Sequence, residues 1–183
     1  MKKYIIVGTT QSGSTRLFNM LRIICELKNL KYHSSFYNKN IINNVDVLIH
    51  KVHDIDDVNE LKDYDYLILP LRDFRDSYIS SIERQKLRGN INEINIGHIN
   101  YNISLFRKFK DIKNTVIFKY ENYDFDYVKN FIHKIKFGMI DDKINILLNR
   151  LNNLLLSKTV VSDDTLNHIA NTSHEKREDY KKT

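Results

Sequence analysis

Tyr4-Ile5-Ile6-Val7, followed at once by Gly8-Thr9-Thr10-Gln11-Ser12-Gly13-Ser14-Thr15, decides how the rest of the chain is read. Four consecutive apolar residues predict a strand buried on both faces. The glycines then fall at the spacing G-x-x-x-x-G-x-[ST], that of a phosphate-binding loop opening a helix at about Ser14. Ser14 stands where a nucleotide hydrolase carries lysine, so the ammonium that would reach a β or γ phosphate is missing. The anion-holding physics survives that change. Glycine lets the backbone turn tightly and approach a ligand. The first amides of the helix, with the positive end of its dipole, attract negative charge. The hydroxyls of Ser12, Ser14 and Thr15 add donors. The stretch therefore reads as an anion cradle first and a nucleotide hydrolase second. Taken alone it also fits a plain strand–turn–helix corner.

The chain around it has 183 residues, enough for one domain with a real core. We expect a single domain over 1–183, with a core over 3–157 and a polar tail over 158–183 that could close over a ligand. A net charge of +6 suits an anionic ligand. It is spread along the chain, so it does not argue for nucleic acid. The one cysteine, Cys25, excludes an internal disulfide and a cysteine metal cluster. No apolar run approaches the ~18 residues of a membrane span. The first strand begins right after Lys2-Lys3, leaving no room for a signal peptide, and the expected location is the cytoplasm.

Further apolar runs follow at intervals. Helical spacing of Leu17, Met20, Leu21, Ile24 and Leu27 predicts a helix from Ser14 to Lys28. Residues 29–45 are polar and mixed. They read as a loop that could carry a short strand, with Tyr32, His33, Phe36 and Tyr37 either packing beneath it or lining a cleft. Val45–Val52 predicts a second strand, and 55–63 a short acidic helix. Tyr66–Leu71 predicts a third strand that ends or bends at Pro70, which lacks an amide donor. Asp73 is a good N-cap for a helix running to Leu87, with Gly89 near its C-terminal cap. Residues 96–110 look helical, Thr115–Tyr120 is a fourth strand, and helices are expected over Phe125–Lys136 and Asp141–Leu156. Continuously apolar strands alternating with helices predict an α/β protein with a parallel sheet covered on both faces. In such a sheet ligands bind beyond the carboxyl ends of the strands. Those ends carry the loop, Lys51 and His53, Arg72, and Tyr120.

Each of these reads two ways in isolation. Lys51 and His53 leave one face of their strand and could form a base beside a cation, or a surface pair. Arg72, with Ser80 eight residues on, could grip a second phosphate by a fork plus a hydroxyl, or Arg72 could simply pair with Asp73 or Asp76. Tyr120 could stack on a base or close the edge of the core.

Together and in this order they resemble the PAPS-dependent sulfotransferases. Thr10-Gln11-Ser12-Gly13-Ser14-Thr15 is similar to that family's lysine-free loop P-[KR]-S-G-[ST]-[ST]. Lys51-Val52-His53 matches K-[TS]-H in outline. Arg72-Asp73-Phe74-Arg75-Asp76 with Ser80 resembles R-[ND]-P-[KR]-D and its following serine. Val116–Tyr123 resembles a strand ending in Y-E-D-L. The resemblance spans residues 4–124 and extends loosely to the tail at Lys176-Arg177.

It implies a P-loop-like three-layer α/β/α domain with a central, mainly parallel sheet. It implies transfer of a sulfuryl group from PAPS to an acceptor hydroxyl, with adenosine 3′,5′-bisphosphate as product and no metal. Gln11, Ser12, Gly13, Ser14 and Thr15 would hold the 5′ phosphosulfate. Arg72 and Ser80, with Lys176 and Arg177, would hold the 3′ phosphate. Tyr120 would stack near the adenine, and Arg16 stands where many members place an adenine-binding tryptophan. His53 would be the general base, and Lys51 would stabilise the departing phosphate. Gln11 occupies a position that is basic in the family, which leaves the compensating charge to Lys51 or Arg16. The other readings are a P-loop kinase or NTPase relative, and a nucleotide-binding protein without turnover.

Overall fold

The computed structural model describes residues 1–8, 12–36, 44–53, 63–87 and 97–156. Its centre is a five-stranded sheet of β1 (Lys2–Val7), β2 (Tyr32–Phe36), β3 (Val47–Val52), β4 (Tyr66–Leu71) and β5 (Thr115–Lys119). The strand order is β2-β3-β1-β4-β5, and every neighbouring pair is parallel. The helices are α1 (Ser14–Leu27), α2 (Phe74–Leu87), α3 (Gly97–Phe109), α4 (Phe125–Lys134) and α5 (Asp141–Leu156). This is the expected P-loop-like α/β architecture.

Period-two alternation along β1 sorts the two faces. Tyr4 and Ile6 join the large cluster built from α1, α4 and α5, including Leu17, Phe131 and Leu147. Ile5 and Val7 join the smaller one, with Leu105 and Phe109 of α3. Both faces of the central strands are dry, which is why β1, β3 and β4 carry the apolar runs Tyr4–Val7, Val47–Ile49 and Leu67–Leu69, with His50 and Lys51 following in β3. The Tyr4 hydroxyl, buried in the larger cluster, donates to the Ile135 carbonyl at 3.0 Å. Cys25 is buried there too, and burial pushes its thiol up to about 12, as suits a packing residue.

The segment that could carry a short strand does carry one, and the expectation at Pro70 is corrected. Residues 32–36 form a full strand, β2, although Tyr-His-Ser-Ser-Phe carries no apolar run; β2 takes its register from β3, from Tyr32 opposite Val47 to Phe36 opposite Lys51. β4 also runs straight through Pro70 to Leu71. Odd-numbered residues of β4 hydrogen-bond toward β5, as with Leu67 N–H to the Asn114 carbonyl and Tyr120 N–H to the Leu71 carbonyl. The amide that Pro70 lacks would therefore point toward β1, whose pairing with β4 has already ended at Ile6 opposite Ile68. The expected helix over 55–63, except for Asp63 in a turn, the cap at Gly89 and the tail beyond 156 lie outside the described residues. Among the described residues no helix is long and apolar enough to cross a membrane.

Candidate functional site

All five strands run in one direction, so their carboxyl ends share one rim, and the loop after β1 is its centre. Gly8 has no room for a side chain: a Cβ there would lie 2.6 Å from Ser14 Cβ, 2.7 Å from Pro70 Cγ and 2.9 Å from Ser12 Oγ. The loop is thus folded back onto its own start and against β4. It enters α1 through Gly13, whose φ of 85° is a left-handed conformation that glycine adopts without strain. No side chain caps α1. The hydroxyls of Ser12 and Ser14 are buried within the turn.

From β3, Lys51 extends toward α1, as its register opposite Ile6 requires. Its Nζ donates to Thr15 Oγ1 at 2.7 Å, and the residue is 1% exposed. A buried lysine thus meets the first turn of α1, beside a loop that carries no charged side chain of its own.

Just past β3, His53 Nδ1 lies 2.6 Å from the Gly8 carbonyl oxygen. A carbonyl only accepts, so Nδ1 carries the hydrogen, and in the neutral form of the ring the lone pair is then on Nε2.

From β4, Arg72 is 9% exposed, and its guanidinium carbon lies 5.1 Å from the centre of the Tyr120 ring. On α2, Ser77 and Ser80 are buried and lie three residues apart on one helical face. Asp73 caps α2 by accepting from the Arg75 amide at 2.8 Å, and its carboxylate also takes the Arg75 guanidinium. Those bonds hold the Asp73 carboxyl well below its ordinary value, at about 2. Asp73 is thus engaged by Arg75.

From β5, Tyr120 reaches back to the loop. Its Cδ2 lies 2.2 Å from the point a Cβ on Gly13 would occupy. Arg16 stands behind it, with its guanidinium carbon 3.5 Å from the centre of the Tyr123 ring and 5.9 Å from that of Tyr120. Arg16 Nη2 donates to Asn152 Oδ1 of α5 at 3.2 Å. Burial raises the Tyr123 hydroxyl well above its ordinary pKa, with Arg16 opposing the rise.

Direct contacts at the rim link Ser12, Gly13, Ser14, Thr15, Arg16, Lys51, His53, Arg72 and Tyr120, while Ser80 is buried on α2. Gln11, Lys176 and Arg177 lie outside the described residues. Three participants escaped the sequence reading: Glu121, whose carboxylate accepts the Asp73 amide at 2.8 Å, and Tyr123 and Asn152, which hold Arg16. The Tyr-Glu pair at the end of the β5 motif was a usable signal for Glu121. Asn152 had none, because it reaches α1 across 136 residues.

No family model matches the sequence, and no curated protein does. Solved structures do match the fold. Mouse sulfotransferase SULT7A1, complexed with PAP, superposes with a TM-score of 0.64 over 94% of this chain and 72% of its own, at 12% identity. Retinol dehydratase, in complex with androsterone and the inactive cofactor PAP, gives 0.61 over 98% of this chain and 76% of its own, at 11% identity. The chain is sulfotransferase-like in fold, and divergent in sequence from both.

Proposed function

We propose that the chain is a sulfotransferase that moves a sulfuryl group from PAPS to an acceptor hydroxyl. The observation that carries this reading is the convergence of three strand ends on one loop: from β3, Lys51 beneath Thr15 and His53 on Gly8; from β5, Tyr120 on Gly13; and from β4, Arg72 against Tyr120. The likeness to two structures that hold PAP supports it.

The residues fit a nucleotide charged at both ends of its ribose. Gly8 and Gly13 tolerate no Cβ, and the first amides of α1, which begins right after Gly13, are donors suited to an anion. Lys51 contributes a buried cation on that side. Arg72 and Ser80, both nearly buried, offer a fork and a hydroxyl for a second phosphate. PAPS, when bound, supplies a sulfuryl group joined to its 5′ phosphate. His53 Nε2 takes the proton of an acceptor hydroxyl, while the Nδ1–H bond to Gly8 keeps the ring aimed and in the productive tautomer. Lys51 Nζ and the first amides of α1 hold the negative charge that appears on the 5′ phosphate side. Ser14 in place of a loop lysine disfavours the kinase reading.

The test is a thermal-shift titration with adenosine 3′,5′-bisphosphate and with ATP, followed by sulfate transfer to a pool of hydroxyl acceptors. Stabilisation by the bisphosphate, lost in Arg72→Ala, together with turnover lost in His53→Ala, is the expected result. Stabilisation by ATP with magnesium and not by the bisphosphate would overturn it. Bisphosphate binding with equal background rates in wild type and His53→Ala would leave a nucleotide-binding protein without turnover.

A further inference from the structure

Arg72 is flanked along its own backbone by residues tied to two consecutive residues of the turn just past β5. The Tyr120 amide donates to the carbonyl of Leu71 at 2.8 Å, and the Glu121 carboxylate accepts the amide of Asp73 at 2.8 Å. The residues before and after Arg72 are therefore both tied to the dipeptide Tyr120-Glu121. The same dipeptide also reaches the loop, because the Tyr120 ring is pressed onto Gly13 so closely that a Cβ there would overlap it. The Arg72 guanidinium then rests over that ring at 5.1 Å, within cation–π range. Backbone, ring and guanidinium form one continuous path from the loop glycine to the arginine.

We propose that Tyr120 and Glu121 are positioning residues that set the distance between the loop and Arg72, so that the chain recognises a nucleotide by the separation of its two phosphate groups. The idea rests on the donor-binding reading above, but gives Tyr120 a different task from stacking on a base. Its ring is a spacer with one edge on Gly13 and Arg72 leaning on it. Glu121 has no contact with the loop in this scheme; it fixes the backbone turn from which Arg72 departs. A shift of about 1 Å in such a group is enough to degrade binding geometry severely. An exposed glutamate would otherwise be of little consequence.

The two ligands that separate the ideas are adenosine 3′,5′-bisphosphate and adenosine 5′-monophosphate, which differ only in the phosphate assigned to Arg72. Their dissociation constants are measured by calorimetry for wild type, Glu121→Ala, Glu121→Gln, Tyr120→Leu and Tyr120→Phe. Glu121→Ala and Tyr120→Leu are expected to lower the preference for the bisphosphate about tenfold, with monophosphate affinity nearly unchanged. Glu121→Gln keeps an acceptor oxygen and Tyr120→Phe keeps the ring, so both are expected to retain the preference. Glu121 is exposed, so its variants remain folded even if Tyr120→Leu does not. Equal weakening of both ligands by Tyr120→Leu would mean that the ring meets the base, and would overturn the proposal, as would an unchanged preference in Glu121→Ala. A wild-type protein that shows no preference between the two nucleotides would instead overturn the donor-binding reading itself.

Discussion

His53 donates from Nδ1 to the carbonyl oxygen of Gly8, 2.6 Å away, and so ties the end of β3 to the first residue of the loop after β1. The bond does two things at once. It fixes which ring nitrogen carries the lone pair, and it ties that nitrogen's position to the loop. His53→Ala is expected to cut sulfate transfer by about 10²–10⁴-fold, the usual contribution of a positioned base. Adenosine 3′,5′-bisphosphate affinity should stay within a few-fold of wild type, because the proposed role of the imidazole is toward the acceptor and not the phosphates. Initial rates and calorimetry on the same preparation check both halves.

Lys51 joins the same loop from below, and its burial makes the outcome of replacing it unusual. Lys51 is 1% exposed and donates to Thr15, and taking an ammonium out of water costs free energy. Lys51→Met keeps the length of the chain and removes the charge. The melting temperature without ligand should hold or rise. Sulfate transfer should fall about 10²–10³-fold, as when one donor to a developing negative charge is removed. Scanning calorimetry with rate measurements would show the two properties moving apart; a large drop in melting temperature would instead make Lys51 a structural residue.

Much of this rim could be read in advance because its parts lie on strands whose ends the chain order already aligns. The apolar runs at Tyr4–Val7, Val47–Ile49 and Leu67–Leu69 are buried on both faces, so composition alone marks them. β2 could not be seen that way. Its residues are polar, and their strand geometry is imposed by β3 through backbone bonds that no side chain encodes. Pro70 misled for a related reason: proline forbids one hydrogen bond, and whether that bond is needed depends on how far a neighbouring strand extends. Glu121 and Asn152 act at a distance in sequence, through single contacts to Asp73 and Arg16. Periodicity carries no trace of such pairs.

His50 supplies a pH dependence independent of the rim. It is 2% exposed in β3, with Nδ1 hydrogen-bonded to the Tyr64 hydroxyl at 2.5 Å. Burial first, and then the charges of His33 and Lys3, lower its pKa below the ordinary value of 6.5. The unfolded chain therefore binds a proton at a pH where the folded chain still refuses it. Stability from this residue is complete above about pH 6.5, and declines as pH falls below it until the folded ring protonates too. The slope from one proton cannot exceed about 1.4 kcal/mol per pH unit. Urea unfolding between pH 7.5 and 5 should show the decline in wild type and a flatter profile in His50→Gln; identical slopes would assign the effect to other groups.

Gly13 and Gly138 form a matched pair that isolates the contact between the loop and β5. Both have positive φ, 85° and 59°, so alanine at either carries a backbone penalty of about 1–2 kcal/mol. Around Gly138 nothing lies within 4 Å of an added Cβ, whereas at Gly13 the Tyr120 ring is already there. Gly138→Ala should thus show the backbone penalty alone and leave bisphosphate protection intact. Gly13→Ala should lose further stability, because the methyl must push aside a ring whose backbone is tied to Leu71. Protection by the bisphosphate should vanish with it, since the displaced ring carries Arg72 away from the loop. Adding Tyr120→Ala to Gly13→Ala removes the overlap and should recover part of the lost stability while binding stays weak. Recovery of the stability without recovery of binding is what separates a steric clash from a spacer whose thickness matters.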